Sequence, residues 1–290
     1  MPLAQVFTAT ELRSDNPPDL NAYYPRILAE GDSWFSTGSH RAQNLVRNLQ
    51  FERRACVTNL AYPGDTSADM AGALPPSHRR MDLWMSEFSG FVGDPSSEEY
   101  HAILLSAGGN DLIDALPSLL KTGVDYSTVD PARPQSMLDA DALATFDNFL
   151  SANIRQMVNF VRDSASASRD APIIMHTYDY ATPNNAPAKF GPFTQGPWMY
   201  PSLVARGVPA ALWVPLADHL LKHLAETLTG LMGSDMPEFH VVRTLGTVTR
   251  AAPGATGESG DWENEIHLTA GGYRKVANKV AAKIVEELGL

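Results

Sequence analysis

Arg26-Ile27-Leu28-Ala29-Glu30-Gly31-Asp32-Ser33 is a mostly apolar run that stops abruptly in a glycine, an acid and a hydroxyl. The same design recurs downstream. Ala55-Cys56-Val57-Thr58-Asn59-Leu60-Ala61 leads into Tyr62-Pro63-Gly64-Asp65, and Ala102-Ile103-Leu104-Leu105-Ser106 leads into Ala107-Gly108-Gly109-Asn110. Two more runs follow, Ala171-Pro172-Ile173-Ile174-Met175-His176 and Phe239-His240-Val241-Val242-Arg243. Short continuous apolar runs bounded by Gly, Asn and Asp suit strands buried on both faces of a parallel sheet.

Helical patterns lie between and after these runs. Leu143, Phe146, Leu150, Ile154, Met157, Val158 and Val161 recur at three- and four-residue steps and form one apolar face. Tyr273, Val276, Ala277, Val280, Ile284 and Leu288 do the same near the end, with Thr269 placed to cap the helix. Strands alternating with helices predict βαβ units with right-handed crossovers, hence an α/β fold with helices on both sides of the sheet. Residues 122–137 and 178–215 break the rhythm. They are rich in Pro and polar residues, and the second stretch adds Gly and aromatics, as in Gly191-Pro192-Phe193-Thr194-Gln195-Gly196-Pro197-Trp198. Long loops inside a compact domain are usually functional or mobile, and the second stretch has enough aromatics to line or cover a site. With no repeat and no linker, the expectation is one domain over residues 1–290, with a short N-terminal extension (1–25) and a loop-rich insertion (178–215).

The 290 residues are 44% hydrophobic and 19% charged, which permits a sizeable core without metals or disulfides. A formal net charge of -11 makes phosphate backbones and anionic bilayers poor partners. The single cysteine, Cys56, sits in an apolar run and reads as a buried small hydrophobe. No apolar run is long enough for a membrane span and no leader pattern is visible, so the expected location is cytoplasmic.

Sites in open α/β sheets gather at the carboxyl ends of strands, which directs attention to the residue following each run. Ser33 in a strand-to-helix turn exposes its hydroxyl where backbone N–H groups can face an oxyanion. Gly64 lets backbone approach a ligand closely. Asn110 can offer a side-chain N–H to the same oxyanion, and His267 lies in Asn264-Glu265-Ile266-His267-Leu268-Thr269, just before the last helix.

These four clusters, in this order, resemble the four blocks of the SGNH (GDSL-like) hydrolase superfamily: Gly-Asp-Ser, a lone Gly, Gly-x-Asn-Asp and a terminal Asp-x-x-His. The resemblance runs from residue 27 to about residue 288. It implies a three-layer α/β/α sandwich of flavodoxin-like type, with a central parallel sheet of about five strands. It further implies a serine ester hydrolase with Ser33 as nucleophile, His267 as base, and an oxyanion hole from the Ser33 and Gly64 N–H groups and the Asn110 side chain. The implied partner is a small-molecule ester, with no cofactor. Where the superfamily carries aspartate, this chain has Asn264. Asp261, Glu263 and Glu265 are nearby carboxylates; Asp261 is the first candidate for the acid, and Asn264 the alternative group that orients His267.

Each cluster has a plainer reading. Ser33 alone would be a helix cap, and Pro63-Gly64 an ordinary turn. Asp32 and Asp111 suit hydrogen bonds within their turns. His219 and His223 have a zinc-compatible spacing, but Leu220-Leu221-Lys222 lacks the glutamate of His-Glu-x-x-His and no third ligand is evident, so no metal is expected. Trp34, Trp198, Trp213 and Trp262 read as packing residues. A non-catalytic ligand-binding protein on the same fold, an acyltransferase and a thioesterase remain alternatives to an esterase.

Overall fold

The computed structural model describes residues 1–36, 44–72, 88, 91–92, 98–190, 193–233 and 235–290. In chain order its elements begin with β1 (Gln5–Thr8), α1 (Ala9–Leu12), β2 (Arg26–Gly31), α2 (Ser33–Ser36), β3 (Cys56–Asn59) and α3 (Ser67–Met70). They continue with β4 (Ala102–Ser106), α4 (Gly109–Leu119), α5 (Ala140–Arg162), β5 (Ile173–His176), β6 (Ala188–Phe190) and β7 (Phe193–Gln195). Last come α6 (Met199–Ala205), α7 (Ala210–Gly230), β8 (Phe239–Val242) and α8 (Ala270–Leu288).

All five apolar runs form strands, and with β1 they make a parallel sheet in the order β1-β3-β2-β4-β5-β8. The sheet has six strands, one more than the five apolar runs. The extra one, Gln5-Val6-Phe7-Thr8, comes from the stretch expected to be an N-terminal extension and pairs with β3 at the sheet edge. Its burial is partial, as an edge position allows, whereas β4 and β5 are buried along their whole length. β4, β2 and β5 supply the centre of the core through Ile27, Leu28, Ile103, Leu104 and Ile173, all fully buried.

Helices cover both faces. α5 packs against both α4 and α7, while α8 packs against β5, β8 and the short 3-10 turn Val46–Asn48. The caps follow the sequence: Asp139 accepts from the N–H groups of Asp141 and Ala142 at the start of α5, and Thr269 accepts from Gly272 N–H at the start of α8. The insertion is more structured than its composition predicts. It holds the β6–β7 hairpin, α6 and the start of α7, with Pro201 and Pro215 inside helices. Pro201 lies in the first turn of α6, where no intrahelical donor is lost. Gly191 and Pro192 fall outside the described residues.

Strand order reverses direction between β2 and β4, and open α/β sheets bind ligands at the carboxyl ends of strands at such a switch point. Among the described residues no helix is long and apolar enough to cross a membrane.

Candidate active site

β2 ends at Gly31, and its lack of a side chain decides the turn that follows. A Cβ there would lie 2.7 Å from Ser106 Cβ and 2.9 Å from Ser106 O on β4. Asp32 then donates its N–H to Ser106 O at 3.1 Å. Its carboxylate holds the turn: Oδ1 accepts from Trp34 N–H and Ser106 Oγ–H, each at 2.9 Å, and Oδ2 accepts from Tyr178 OH at 2.5 Å. Burial pushes the Asp32 carboxyl up to about 6, while the bonds from Tyr178, Trp34 and Ser106 pull it back. Asp32 thus braces the turns around the site, as does Asp111, which accepts from the N–H and hydroxyl of Ser67 on α3.

Ser33 opens α2, and its Oγ lies 2.9 Å from His267 Nε2. His267 Nδ1 lies 3.1 Å from Asn264 Oδ1. That same oxygen accepts from the backbone N–H groups of Ile266 at 3.1 Å and His267 at 3.0 Å. Two backbone donors identify the facing atom as the amide oxygen, so Nδ1 carries the ring proton and Nε2 offers its lone pair to Ser33. Burial pushes the imidazole down to about 4, keeping it neutral. Trp34 Nε1–H donates to Ile266 O at 3.0 Å and ties the serine turn to the histidine loop.

Asp261 does not reach His267. Its Oδ2 accepts from Thr249 N–H at 2.6 Å and from Lys275 Nζ at 2.5 Å. The carboxylate turns back towards α8, where a cation is available, and Asn264 occupies the place beside the ring. This corrects the choice of Asp261 as the acid. Glu265 also points away: it takes backbone N–H groups of the insertion, and burial pushes its carboxyl up to about 7.

Asn110 Nδ2 donates to Asp65 O at 2.8 Å, linking α4 to the loop that holds Gly64. That loop starts beside the serine turn, where Tyr62 N–H donates to Gly31 O at 2.9 Å. Gly64 has φ 89°, a value that favours glycine. Ser33 and Asn110 line a cavity of about 40 Å³, whose other walls include Leu112, Ile113, Met199 and Leu221. Gly64 is not among its lining residues. The lining is mostly apolar, with polar groups contributed by Asp32, Ser33, Asn110, Tyr178 and Asp179.

Several residues around the site carry no motif. His176 Nδ1 accepts from Tyr178 N–H at 3.2 Å, so Nε2–H faces Ser106 Oγ at 2.9 Å, beneath the serine turn. Tyr178 has φ 61°, an unusual backbone for a bulky residue, and its ring sits where a Gly109 Cβ would meet it at 3.0 Å. Trp198 meets the His267 ring edge-on, centroids 5.2 Å apart. Only the order Tyr178, Trp198 within an aromatic-rich insertion hinted at either contact. Of His219 and His223, the latter places its Nε2 2.9 Å from both Asp147 carboxylate oxygens.

No family model matches this chain, and no curated protein sequence does. Solved structures do resemble it. One is a lipase from a goat rumen metagenome, with TM-score 0.49 and 13% identity, covering 89% of this chain and 96% of that one. An extracellular lipase from Streptomyces rimosus gives TM-score 0.48 and 14% identity, covering 90% of this chain and 98% of that one. A carbohydrate acetylesterase from Sinorhizobium meliloti gives TM-score 0.48 and 12% identity, covering 90% and 99%. In fold and in the order of its four blocks the chain resembles the SGNH hydrolase superfamily, with Asn264 standing where that superfamily carries its aspartate.

Proposed function

We propose that this protein is a serine hydrolase of carboxylic esters with short- to medium-length acyl groups. Ser33 Oγ attacks the ester carbonyl as His267 Nε2 takes its proton; the imidazolium then returns that proton to the leaving alcohol, and water repeats the sequence on the acyl-enzyme. Asn264 holds the ring in the required tautomer. The oxyanion is held by the Ser33 and Gly64 N–H groups and by the second amide N–H of Asn110. The observation that carries this reading is the Ser33–His267–Asn264 chain, at 2.9 and 3.1 Å, beside an apolar cavity.

The test is p-nitrophenol release from p-nitrophenyl acetate and butyrate by wild type and Ser33→Ala, both checked for folding by circular dichroism. Wild type should turn over and the variant should not. Asn110→Ala should lose about 10²–10³ in kcat, the usual effect of removing one oxyanion donor. Equal activity of wild type and Ser33→Ala would refute the nucleophile. A second reading, a binding protein on this fold, draws on the uncharged Asn264; a folded wild type inert on every ester would favour it.

A further inference from the structure

The histidine loop contains a buried carboxylate that the chemistry above does not use. Glu265 Oε1 accepts from the N–H groups of Asn184 at 3.2 Å and Tyr200 at 2.8 Å. Its Oε2 accepts from Met199 N–H at 2.9 Å and from Trp198 N–H. Glu265 N–H in turn donates to Ala186 O at 2.9 Å. One side chain, 2% exposed, therefore gathers backbone donors from both ends of the segment 184–200. Two of the residues it seats touch the site: Trp198 lies edge-on to His267, and Met199 lines the cavity.

We propose that Glu265 is a positioning residue that sets ester specificity, because its carboxylate fastens the insertion onto the histidine loop and so fixes the Trp198 ring beside His267 and Met199 in the cavity wall. The proposal rests on the Ser33–His267 reading. A carboxylate suits the task because all four facing groups are donors. An uncharged amide in its place offers one oxygen and turns an NH₂ group towards donors. Met199 shares the cavity that Ser33 lines, and Trp198 flanks the base, so both border the space next to the nucleophile. A loosened wall should therefore change discrimination between substrates more than it changes bond cleavage at Ser33.

The experiment compares wild type with Glu265→Gln on p-nitrophenyl acetate and hexanoate, with hydrogen exchange read on the peptide spanning residues 198–200. Trp198→Ala and Met199→Ala serve as second variants that alter the wall and spare the carboxylate. A fluorophosphonate label on Ser33 reports the nucleophile separately. The expected result for Glu265→Gln is faster exchange at residues 198–200, retained Ser33 labelling, and a hexanoate-to-acetate ratio of kcat/KM shifted by about tenfold, mostly through KM. The wall variants should shift the same ratio, which keeps the test alive if Glu265→Gln fails to fold. An unchanged ratio in Glu265→Gln, or in both wall variants, with wild type labelled and active, overturns this proposal alone. Wild type that neither turns over nor labels overturns the Ser33 reading and this role with it.

Discussion

At the residue scale the departure of interest is Asn264. In serine hydrolases an amide in place of the acid costs about 10⁴ in kcat when it imposes the wrong histidine tautomer. Here two backbone N–H groups fix the amide oxygen towards Nδ1, so the tautomer is correct and only the negative charge is missing. Without that charge nothing offsets burial, which pushes His267 down to about 4. The base is active when neutral, so kcat/KM should hold its plateau well below pH 6.5 and fall only as pH drops towards 4. Asn264→Asp places a carboxylate beside the ring and should move this acid limb upward by about 1–3 pH units. A wild-type limb already near 6.5 would contradict the account. Asp261→Asn should leave kcat/KM unchanged, since its partners are Lys275 and Thr249, and should cost about 1 kcal/mol in a urea melt. The choice between Asp261 and Asn264 was not legible in the sequence. Spacing places a carboxylate near a histidine but says nothing of a competing lysine on the next helix.

At the element scale the serine turn is a junction of three strands. Gly31, Ser106 and His176 end β2, β4 and β5, and Asp32 collects donors from two neighbouring segments. Tyr178→Phe deletes the hydroxyl on Asp32 Oδ2 inside the core and should cost about 1–3 kcal/mol by chemical denaturation. A loss below half of that would mean water replaces the phenol. The four interior strands β2, β3, β4 and β5 were readable because burial on both faces enforces continuous apolar runs, and β8 at the far edge was readable because its own run is apolar although only Phe239 is buried. β1 was not, because a half-exposed edge strand of four residues needs no such run. α6 and the start of α7 were hidden by prolines, which signal a break in sequence; Pro201 falls in a first turn, where it is tolerated, and Pro209 at a cap, whereas Pro215 lies inside α7.

At the scale of the whole molecule the site is assembled from the two ends of the chain. Ser33 and His267 are 234 positions apart, and the Trp34–Ile266 bond spans 232. Between them stands the doubly wound sheet, with β2 and β4 at its switch point. The site has no local scaffold that could outlast the sheet. Loss of esterase activity in urea should therefore coincide with loss of far-UV circular dichroism, as one cooperative transition. Activity that disappears well before the sheet melts would place the histidine loop or the insertion in a separate, weaker unit.

The central claim is that Ser33 is a nucleophile activated by His267, and covalent trapping tests it most directly. Wild type, Ser33→Ala and His267→Ala would be exposed to a fluorophosphonate, with intact mass and peptide mapping as the readout. The account predicts a single adduct on the peptide carrying Ser33 in wild type, none in Ser33→Ala, and strongly slowed labelling in His267→Ala. An adduct on another residue, or no adduct on folded wild type, would contradict it.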